Sequence, residues 1–339
     1  METNADDQIR PAARRFQALA LSGGGYRGLY TARIIADLEQ EFGGPIARHF
    51  DLIAGTSVGG ILALALAQEI PAERIFSLFE NHGDEIFAKR ASLLGIVRAP
   101  YTADKLRGLL ERDELFGKRL LGSCKHPVIV PSINYTTGAP VVFKTPHHQS
   151  FRRDHRVPLV EVALATSAAP GYFPRHLYDS SQYVDGGLFA NAPGLLALHE
   201  ATEFLGVDER DVHLIAIGTM SSSFTVDPRR TPTGGHLEWG GPKRLFGLAI
   251  SAQEGVVDSM LRHRLADRYV HVDDALTDER ARAVALDRTD AAARQVLIGT
   301  AGQRSKHCIG DPKIQAFLER SPSEPVFFHG EHARKSKSC

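Results

Sequence analysis

Short apolar segments alternate with amphipathic ones along most of the chain. Continuous apolar runs bounded by glycine, proline or polar residues predict buried strands, whereas apolar residues spaced three and four apart predict helices. Strands are predicted at Phe16–Leu21, Phe50–Ala54, Val128–Tyr135, Val141–Lys144 and Val212–Ile217. Helices are predicted at Leu29–Phe42, Gly60–Gln68, Leu159–Ser167, Pro193–Leu205 and Lys243–Leu265. This alternation predicts a three-layer α/β/α fold, in which helices cover both faces of a mostly parallel central sheet and a helical extension follows toward the C-terminus.

The composition is that of an ordinary globular protein. Hydrophobic residues make up 43% and charged residues 24% of the 339 residues, which argues against disorder and against a coiled coil. The 40 basic and 40 acidic residues give no net charge, so a binder of nucleic-acid polymers is not expected. The longest apolar run, Ile61–Ala67, is far shorter than the roughly 20 residues that span a bilayer. We therefore expect a soluble protein whose membrane contact is peripheral.

The cysteines give no sign of a disulfide or metal site. Cys124, Cys308 and Cys339 lie far apart and form no C-x-x-C pair, and no H-E-x-x-H segment is present. We expect a protein of the reducing cytoplasm that needs no metal and no other cofactor.

One stretch departs from the overall balance of charge. Between Ala88 and Lys125 there are nine basic and four acidic residues, a local excess of +5. The apolar segments Leu93–Val97 and Pro100–Tyr101 lie within it. Two interpretations remain open, namely a solvated helical face, or a lid that docks on an anionic membrane.

A candidate nucleophile lies between a predicted strand and a predicted helix. Gly55-Thr56-Ser57-Val58-Gly59 fits the G-x-S-x-G pattern. In a nucleophile elbow, the glycines permit a sharp turn that exposes the serine hydroxyl, and the next helix directs its N-terminus at developing negative charge. Ser57 is therefore the candidate nucleophile, with Gly55 and Gly59 as the elbow glycines.

A glycine-rich loop follows the first predicted strand. Gly23–Gly28 matches the G-x-G-x-x-G pattern of dinucleotide sites, which also need an acidic residue at the end of the second strand. Here the acid, Asp51, is at the start of that strand instead. The alternative is an oxyanion hole, in which the backbone amides of the three successive glycines stabilise a tetrahedral intermediate. The candidates for it are Gly23, Gly24 and Gly25, with Arg27 adding positive charge.

A serine needs a base within hydrogen-bond reach, because its hydroxyl is otherwise protonated at neutral pH. Asp185 follows a strand-like segment and is succeeded by two glycines that allow close backbone approach. It is the candidate base, although Asp-Gly-Gly also occurs as an ordinary turn.

Together these motifs resemble the patatin-like phospholipases, in which a G-G-G-x-R-G loop, a G-x-S-x-G elbow and a D-G-G segment follow one another. All three occur here in that order, at Gly23–Gly28, Gly55–Gly59 and Asp185–Gly187. The blocks Ala165–Pro174 and Gly186–Pro193 are also similar, so the likeness covers roughly Phe16 to Thr219.

The resemblance implies a patatin-like fold and a serine–aspartate dyad without histidine. Asp185 would take the proton of Ser57, Ser57 would attack a fatty-acyl ester of a membrane phospholipid, and the glycine loop would hold the oxyanion. A triad of the α/β-hydrolase type with a late histidine is the rival. Its candidates are His199, His213, His263, His271 and His307.

Within that family, the chain is most similar to the bacterial effectors of cyclic-oligonucleotide (CBASS) antiphage systems. The likeness implies a lipase that a cyclic dinucleotide such as 3′,3′-cGAMP switches on, often with assembly into homo-oligomers, at the inner face of the membrane. A cyclic dinucleotide needs cations around its phosphodiester ring. The candidates are Lys243, Arg244, Arg262, Arg264 and Arg268, for which a solvated helix face is the alternative.

The likeness also divides the chain. Residues 16–220 are expected to form the catalytic core and 221–325 a C-terminal part, packed on the same domain, for regulation or assembly. Residues 1–15 and 326–339 are expected to be flexible termini. Two other functions remain open, a constitutive hydrolase of neutral lipids and a catalytically silent binding module, although an intact Ser57 and Asp185 argue against the second.

Overall fold

A single mixed sheet forms the centre of the protein. The computed structural model describes residues 15–89, 99–220, 241–276 and 284–334. Its strands are β1 Phe16–Leu21, β2 Leu52–Gly55, β3 Val128–Asn134, β4 Ala139–Lys144, β5 His176–Tyr178, β6 Ser181–Asp185, β7 Val212–Ile217 and β8 Tyr269–Val272. They are ordered β5-β6-β3-β2-β1-β7-β8, with β4 paired to β3. The pairs among β3, β2, β1, β7 and β8 are parallel, and those of β3 with β4 and β6, and of β5 with β6, are antiparallel.

Helices lie on both sides of this sheet. They are α1 Gly28–Phe42, α2 Val58–Ala67, α3 Ala72–Ile86, α4 Asp104–Leu110, α5 Leu159–Thr166, α6 Gly187–Ala190, α7 Gly194–His199, α8 Gly241–Leu265, α9 Ala291–Gly310 and α10 Pro312–Leu318. The π-helical turn Glu200–Phe204 continues α7 to the end of the predicted helix. The predicted three-layer α/β/α class, with a mostly parallel sheet and C-terminal helices, is confirmed.

The two faces of β1 show how the layers are held. Side chains alternate between the faces of a strand, so Leu19 and Leu21 belong to one layer and Ala18 and Ala20 to the other. The first pair packs in a core with helices α1, α2, α3 and α5. The second pair packs in a separate core with α7 and α8. A strand buried on both faces explains why the sequence shows a continuous apolar run rather than an alternating one.

The C-terminal part is built into the same body. Strand β8 extends the sheet beside β7, and α9 packs along α1. The tail is attached as well, because the Phe328 amide donates to the Pro146 carbonyl at 2.8 Å and the Glu331 amide to the Gly122 carbonyl at 3.2 Å. These bonds correct the expectation of a flexible terminus for residues 326–334, whereas residues 1–14 and 335–339 lie outside the described residues.

The basic stretch of the sequence is less positive in the structure than its composition predicts. Within the described ranges, four of its nine cations are paired with acids, namely in Lys105–Glu85, Arg107–Glu161, Arg112–Glu114 and Lys125–Glu69. These pairs neutralise charge that an anionic membrane would otherwise attract. The apolar segment Leu93–Val97 lies outside the described residues. Among the described helices, none is long and apolar enough to cross a membrane.

Candidate active site

Ser57 stands at the sharp turn between β2 and α2. Its φ of 55° lies in the left-handed region, which a residue with a side chain adopts only where the surroundings hold it there. The neighbouring glycines permit this turn. A Cβ atom on Gly55 would lie 2.1 Å from the Gly59 carbonyl oxygen, and one on Gly59 would lie 2.3 Å from that of Leu21. The segment thus has the strand–turn–helix geometry of a nucleophile elbow.

Strand β3 brings Asp185 to the same level as Ser57. In the parallel pair β2–β3, Ala54 is opposite Ile129, and β3 continues from there past Ser132 while the chain turns after β2 at Ser57. In the antiparallel pair β3–β6, Asp185 is opposite that same Ser132. Two segments 128 residues apart in the chain therefore meet across one strand, and the Ser57 hydroxyl donates to Asp185 Oδ2 at 2.7 Å.

The pKa of the Asp185 carboxyl lies close to neutral pH, as that of a general base should. Its side chain is buried, at 1% exposure, and burial raises the pKa of its carboxyl to about 7. Two hydrogen bonds oppose that shift, one from the Gly187 amide to Oδ1 at 2.7 Å and one from Ser57. Near neutral pH the group therefore exchanges a proton readily, which is the property that general acid–base catalysis uses.

Thr166 supports the elbow from α5. Its Oγ1 accepts a hydrogen bond from the Ser57 amide at 3.0 Å and donates to the Pro131 carbonyl at 2.7 Å. Thr166 lies in the block Ala165–Pro174 noted above, but no role was predicted for it from the sequence. Its signal was a buried threonine in a block shared with the family.

The structure leaves two of the three glycine amides as candidate donors of the predicted oxyanion hole. The Gly23 amide already donates to the Asn191 carbonyl at 3.0 Å, so the prediction that it binds the oxyanion is corrected. Within the described parts of the chain, the amides of Gly24 and Gly25 have no such acceptor, and both residues line the pocket beside Ser57. They are the remaining donors for a developing negative charge.

Arg27 is also placed differently from the prediction. It is buried, and its guanidinium donates to the Met220 carbonyl at 2.9 Å. Its positive charge lowers the pKa of Glu254, against the effect of burial, which raises it. Arg27 therefore stabilises the charge of the half-buried Glu254, and it is not among the residues that line the pocket.

An apolar pocket opens from Ser57 and Asp185. The residues that line it are mostly hydrophobic, among them Ile61, Phe79, Ile86, Phe87, Leu106, Tyr172, Phe173, Phe246, Ile250 and Leu286. Such a lining suits a hydrocarbon chain. Ser57 itself is 7% exposed, so its hydroxyl is enclosed by this pocket rather than open to solvent as the elbow pattern predicted.

No histidine lines this pocket in the part of the chain that the structure describes. His199 packs against Phe204, and His213 packs against Phe317. His271 is paired with Asp258 at 3.0 Å, and His263 and His307 are exposed. The geometry therefore favours the serine–aspartate pair over a triad.

The candidate cations for a cyclic nucleotide have partners within the chain. Arg262 is paired with Asp258 at 2.9 Å, and Arg264 is paired with Glu209 at 2.5 Å. Arg268 donates to the backbone carbonyls of Glu209 and Val212. Arg264 and Arg268 connect the end of α8 and the turn after it to Glu209 and Val212, whereas Arg262 is paired within α8. Arg244 is partly buried near the start of the helix, and the side chain of Lys243 lies outside the description.

The comparison with known proteins agrees with this geometry. A family model described as patatin-like phospholipase matches residues 19–198, which contain the glycine loop, the elbow and Asp185. The chain belongs to the patatin-like phospholipases. The resemblance predicted from the motifs is confirmed, and the protein is a lipid acyl hydrolase by family.

Individual relatives match this phospholipase over nearly its whole length. A cGAMP-activated phospholipase of Pseudomonas aeruginosa (strain BWHPSA011 / Pa011) is 46% identical over 321 residues, covering 93% of this chain and 95% of the relative. A protein of the same name from Escherichia coli (strain TW11681) is 34% identical over 309 residues, covering 84% and 86%. The crystal structure of VipD from Legionella pneumophila is similar with a TM-score of 0.44 at 12% identity, covering 87% of this chain and 67% of that one.

Among the residues that the structure describes, no three histidine, cysteine or acidic side chains are grouped so as to hold an ion.

Proposed function

We propose that this phospholipase hydrolyses fatty-acyl esters of membrane phospholipids with Ser57 as nucleophile and Asp185 as base, and that a cyclic dinucleotide activates it. The observation that carries the proposal is the 2.7 Å hydrogen bond from Ser57 to a buried carboxylate at the mouth of an apolar pocket. A lipid chain in that pocket would place its ester carbonyl beside the hydroxyl.

The reaction follows from the contacts of these groups. Asp185 takes the hydroxyl proton while Ser57 Oγ bonds to the carbonyl carbon, and the amides of Gly24 and Gly25 stabilise the oxyanion. As the intermediate collapses, the ester C–O bond breaks and protonated Asp185 gives its proton to the departing lysophospholipid oxygen. Water then attacks the acyl-enzyme, Asp185 takes its proton, and the fatty acid leaves as that proton returns to Ser57.

Support for activation comes from the relatives. Both are named for activation by cGAMP, and the likeness extends beyond the catalytic core into the C-terminal part. Helix α8 from that part supplies Phe246 and Ile250 to the pocket, so residues 221–325 are suited to regulate residues 16–220. For a phosphodiester to bind at Arg262, Arg264 or Arg268, these side chains would have to leave their present partners. The proposal includes assembly into homo-oligomers and action at the cytoplasmic face of the membrane.

The decisive experiment measures fatty-acid release from phosphatidylethanolamine/phosphatidylglycerol vesicles with and without 3′,3′-cGAMP. We expect cGAMP to raise the rate about tenfold or more, within the usual range of allosteric coupling. A triacylglycerol emulsion should be a poorer substrate. Activation would be rejected if the rate and the mass of the protein in solution were the same with and without cGAMP. Faster turnover of triacylglycerol than of phospholipid would favour a neutral-lipid hydrolase.

A surface beside the pocket is suited to meet the membrane. Tyr135, Leu177 and Leu188 are 54%, 67% and 37% exposed. Tyr135, Leu188 and Arg175 line a shallow groove that shares Phe173 with the acyl pocket. Because alternate residues of β5 and β6 share a face, Leu177 lies on the groove side, opposite Gln182 and near Val184. We propose this docking face, with Arg175 for anionic headgroups, in place of the basic stretch, in which four of the nine cations are paired with acids in the described part of the chain.

Leu177→Asp should lower vesicle hydrolysis about tenfold, because burying a leucine in the interface contributes roughly 1.5–3 kcal/mol. Hydrolysis of a soluble p-nitrophenyl ester should stay within about twofold, since the pocket is untouched. Val326→Asp is the matched control, as Val326 is also exposed but lies in a different groove. The docking face would be contradicted if Leu177→Asp slowed hydrolysis of vesicles and of the soluble ester equally. It would also be contradicted if Val326→Asp slowed vesicle hydrolysis as much as Leu177→Asp.

A further inference from the structure

The glycine loop is held by a cluster of buried polar side chains. The Gly23 carbonyl accepts one hydrogen bond from Asn191 Nδ2 at 3.1 Å and another from Thr219 Oγ1 at 2.9 Å. On its other side, the Gly23 amide donates to the Asn191 carbonyl. Asn191 and Thr219 are each 1% exposed, so these bonds do not compete with water. Gly23 is thereby fixed at both of its backbone polar groups.

Fixing the Gly23 carbonyl also orients the next amide. The Gly23 carbonyl and the Gly24 N–H belong to one planar trans peptide and point in opposite directions. While Asn191 and Thr219 hold the carbonyl, the Gly24 N–H points away from them. Gly24 lines the pocket beside Ser57. The direction of an oxyanion-hole donor is therefore set by two side chains that do not touch the oxyanion.

The orientation of the Asn191 side chain depends in turn on α8. Asn191 Nδ2 donates to Glu254 Oε1 at 2.6 Å in addition to the Gly23 carbonyl. The Gly23 carbonyl and Glu254 Oε1 are both acceptors, so only the NH₂ group of Asn191 can face them. In the flipped amide, Asn191 Oδ1 would face these two oxygens and be repelled by them. Burial raises the pKa of Glu254 while Arg27 opposes that shift, so the charge of Arg27 stabilises the carboxylate in this place.

We propose that Glu254 is a positioning residue for acyl transfer. It acts through Asn191 to hold the Gly23 carbonyl, which keeps the Gly24 N–H directed at the developing oxyanion. Through Asn191 and Gly23, a helix of the C-terminal part thus controls the oxyanion hole. The inference rests on the proposed function, because it takes Gly24 as an oxyanion donor.

The test compares Glu254→Ala, Glu254→Gln and Glu209→Ala in the full chain, with a soluble p-nitrophenyl ester and saturating 3′,3′-cGAMP. We expect kcat of Glu254→Ala to fall about tenfold with KM within about twofold, less than the 10²–10³-fold typical of losing an oxyanion donor. Glu254→Gln keeps an oxygen for Asn191 and should restore kcat to within about threefold of wild type. Glu209→Ala also removes a carboxylate partner of α8, at Arg264, and should leave kcat unchanged.

A second variant protects the test against misfolding. Thr219→Val keeps the shape of the side chain but removes one donor to the Gly23 carbonyl, so it should also lower kcat several-fold, whereas Thr219→Ser should not. Because both act on one peptide, Glu254→Ala and Thr219→Val should combine non-additively. The inference is overturned if both variants keep wild-type kcat, or if Glu254→Ala shifts only the cGAMP concentration for half-activation. If Ser57→Ala remains active, the proposed function fails instead.

Discussion

Replacing Asp185 with asparagine is expected to lower kcat for ester hydrolysis by about 10⁴-fold, and Ser57→Ala by at least as much. Asparagine keeps the size of the side chain but cannot take the proton of Ser57, whose hydroxyl now donates to Asp185 Oδ2 at 2.7 Å. Alanine removes the attacking oxygen and leaves the elbow backbone intact. Initial rates with a soluble ester measure both losses, and labelling by a fluorophosphonate probe should disappear in Ser57→Ala.

Matched controls separate loss of chemistry from loss of structure. Ser77 and Asp84 lie on α3, where the Ser77 hydroxyl donates to Glu73 and Asp84 accepts a hydrogen bond from Arg294. Ser77→Ala and Asp84→Asn should keep wild-type rates. The dyad would be refuted if Asp185→Asn kept a tenth of the activity, or if changing one of the five candidate histidines abolished it as completely as Ser57→Ala.

The second large effect is expected in the pH dependence of ester hydrolysis. The pKa of Asp185 is raised to about 7 by burial, and only the ionised carboxylate can act as base. The value of kcat/KM should therefore rise through pH 7 and level off above it. At pH 5 about 1% of the group is ionised, so the rate should be about 100-fold below the plateau. A flat profile between pH 5 and 8 would contradict this assignment of the base.

The contribution of Asp185 to the stability of the fold should fall as pH rises, whereas its activity as a base rises. A carboxyl whose pKa is higher in the folded state than in the unfolded chain binds its proton more tightly when folded. The contribution of Asp185 to stability is therefore greatest at acid pH and is lost as pH rises from about 4 through 7. A shift from 3.8 to about 7 corresponds to about 4 kcal/mol. Thermal unfolding at pH 8 should accordingly show Asp185→Asn to be more stable than wild type, although it is inactive.

The parts of the fold that follow from local pattern were predictable. Strands β1 and β7 coincide with the predicted segments residue for residue, because both are central strands buried on both faces. The short strands β5 and β8 were not predicted, since three or four residues carry too little periodicity. Helix α3 was also missed, although its amphipathic pattern was present in the sequence.

For the site, the sequence supplied the residue types but not their arrangement. Ser57 and Asp185 could be proposed from their motifs, yet their meeting depends on the antiparallel pairing of β6 with β3. The Gly23 amide looked equivalent to those of its neighbours, and only its bond to the Asn191 carbonyl distinguishes it. Phe246, Ile250 and Glu254 carry no motif, because their role arises from the packing of α8 against the core.

The spacing of three side chains along α8 has a consequence for the evolution of this enzyme. Phe246, Ile250 and Glu254 recur every four residues, so they form a single stripe along the helix. Two of them shape the acyl pocket and the third holds Asn191. With Glu254 in the positioning role proposed above, a small rotation of α8 would alter fatty-acid preference and turnover together. Substitutions that retune the enzyme for a different membrane composition will have to be compensated along this stripe to preserve the rate.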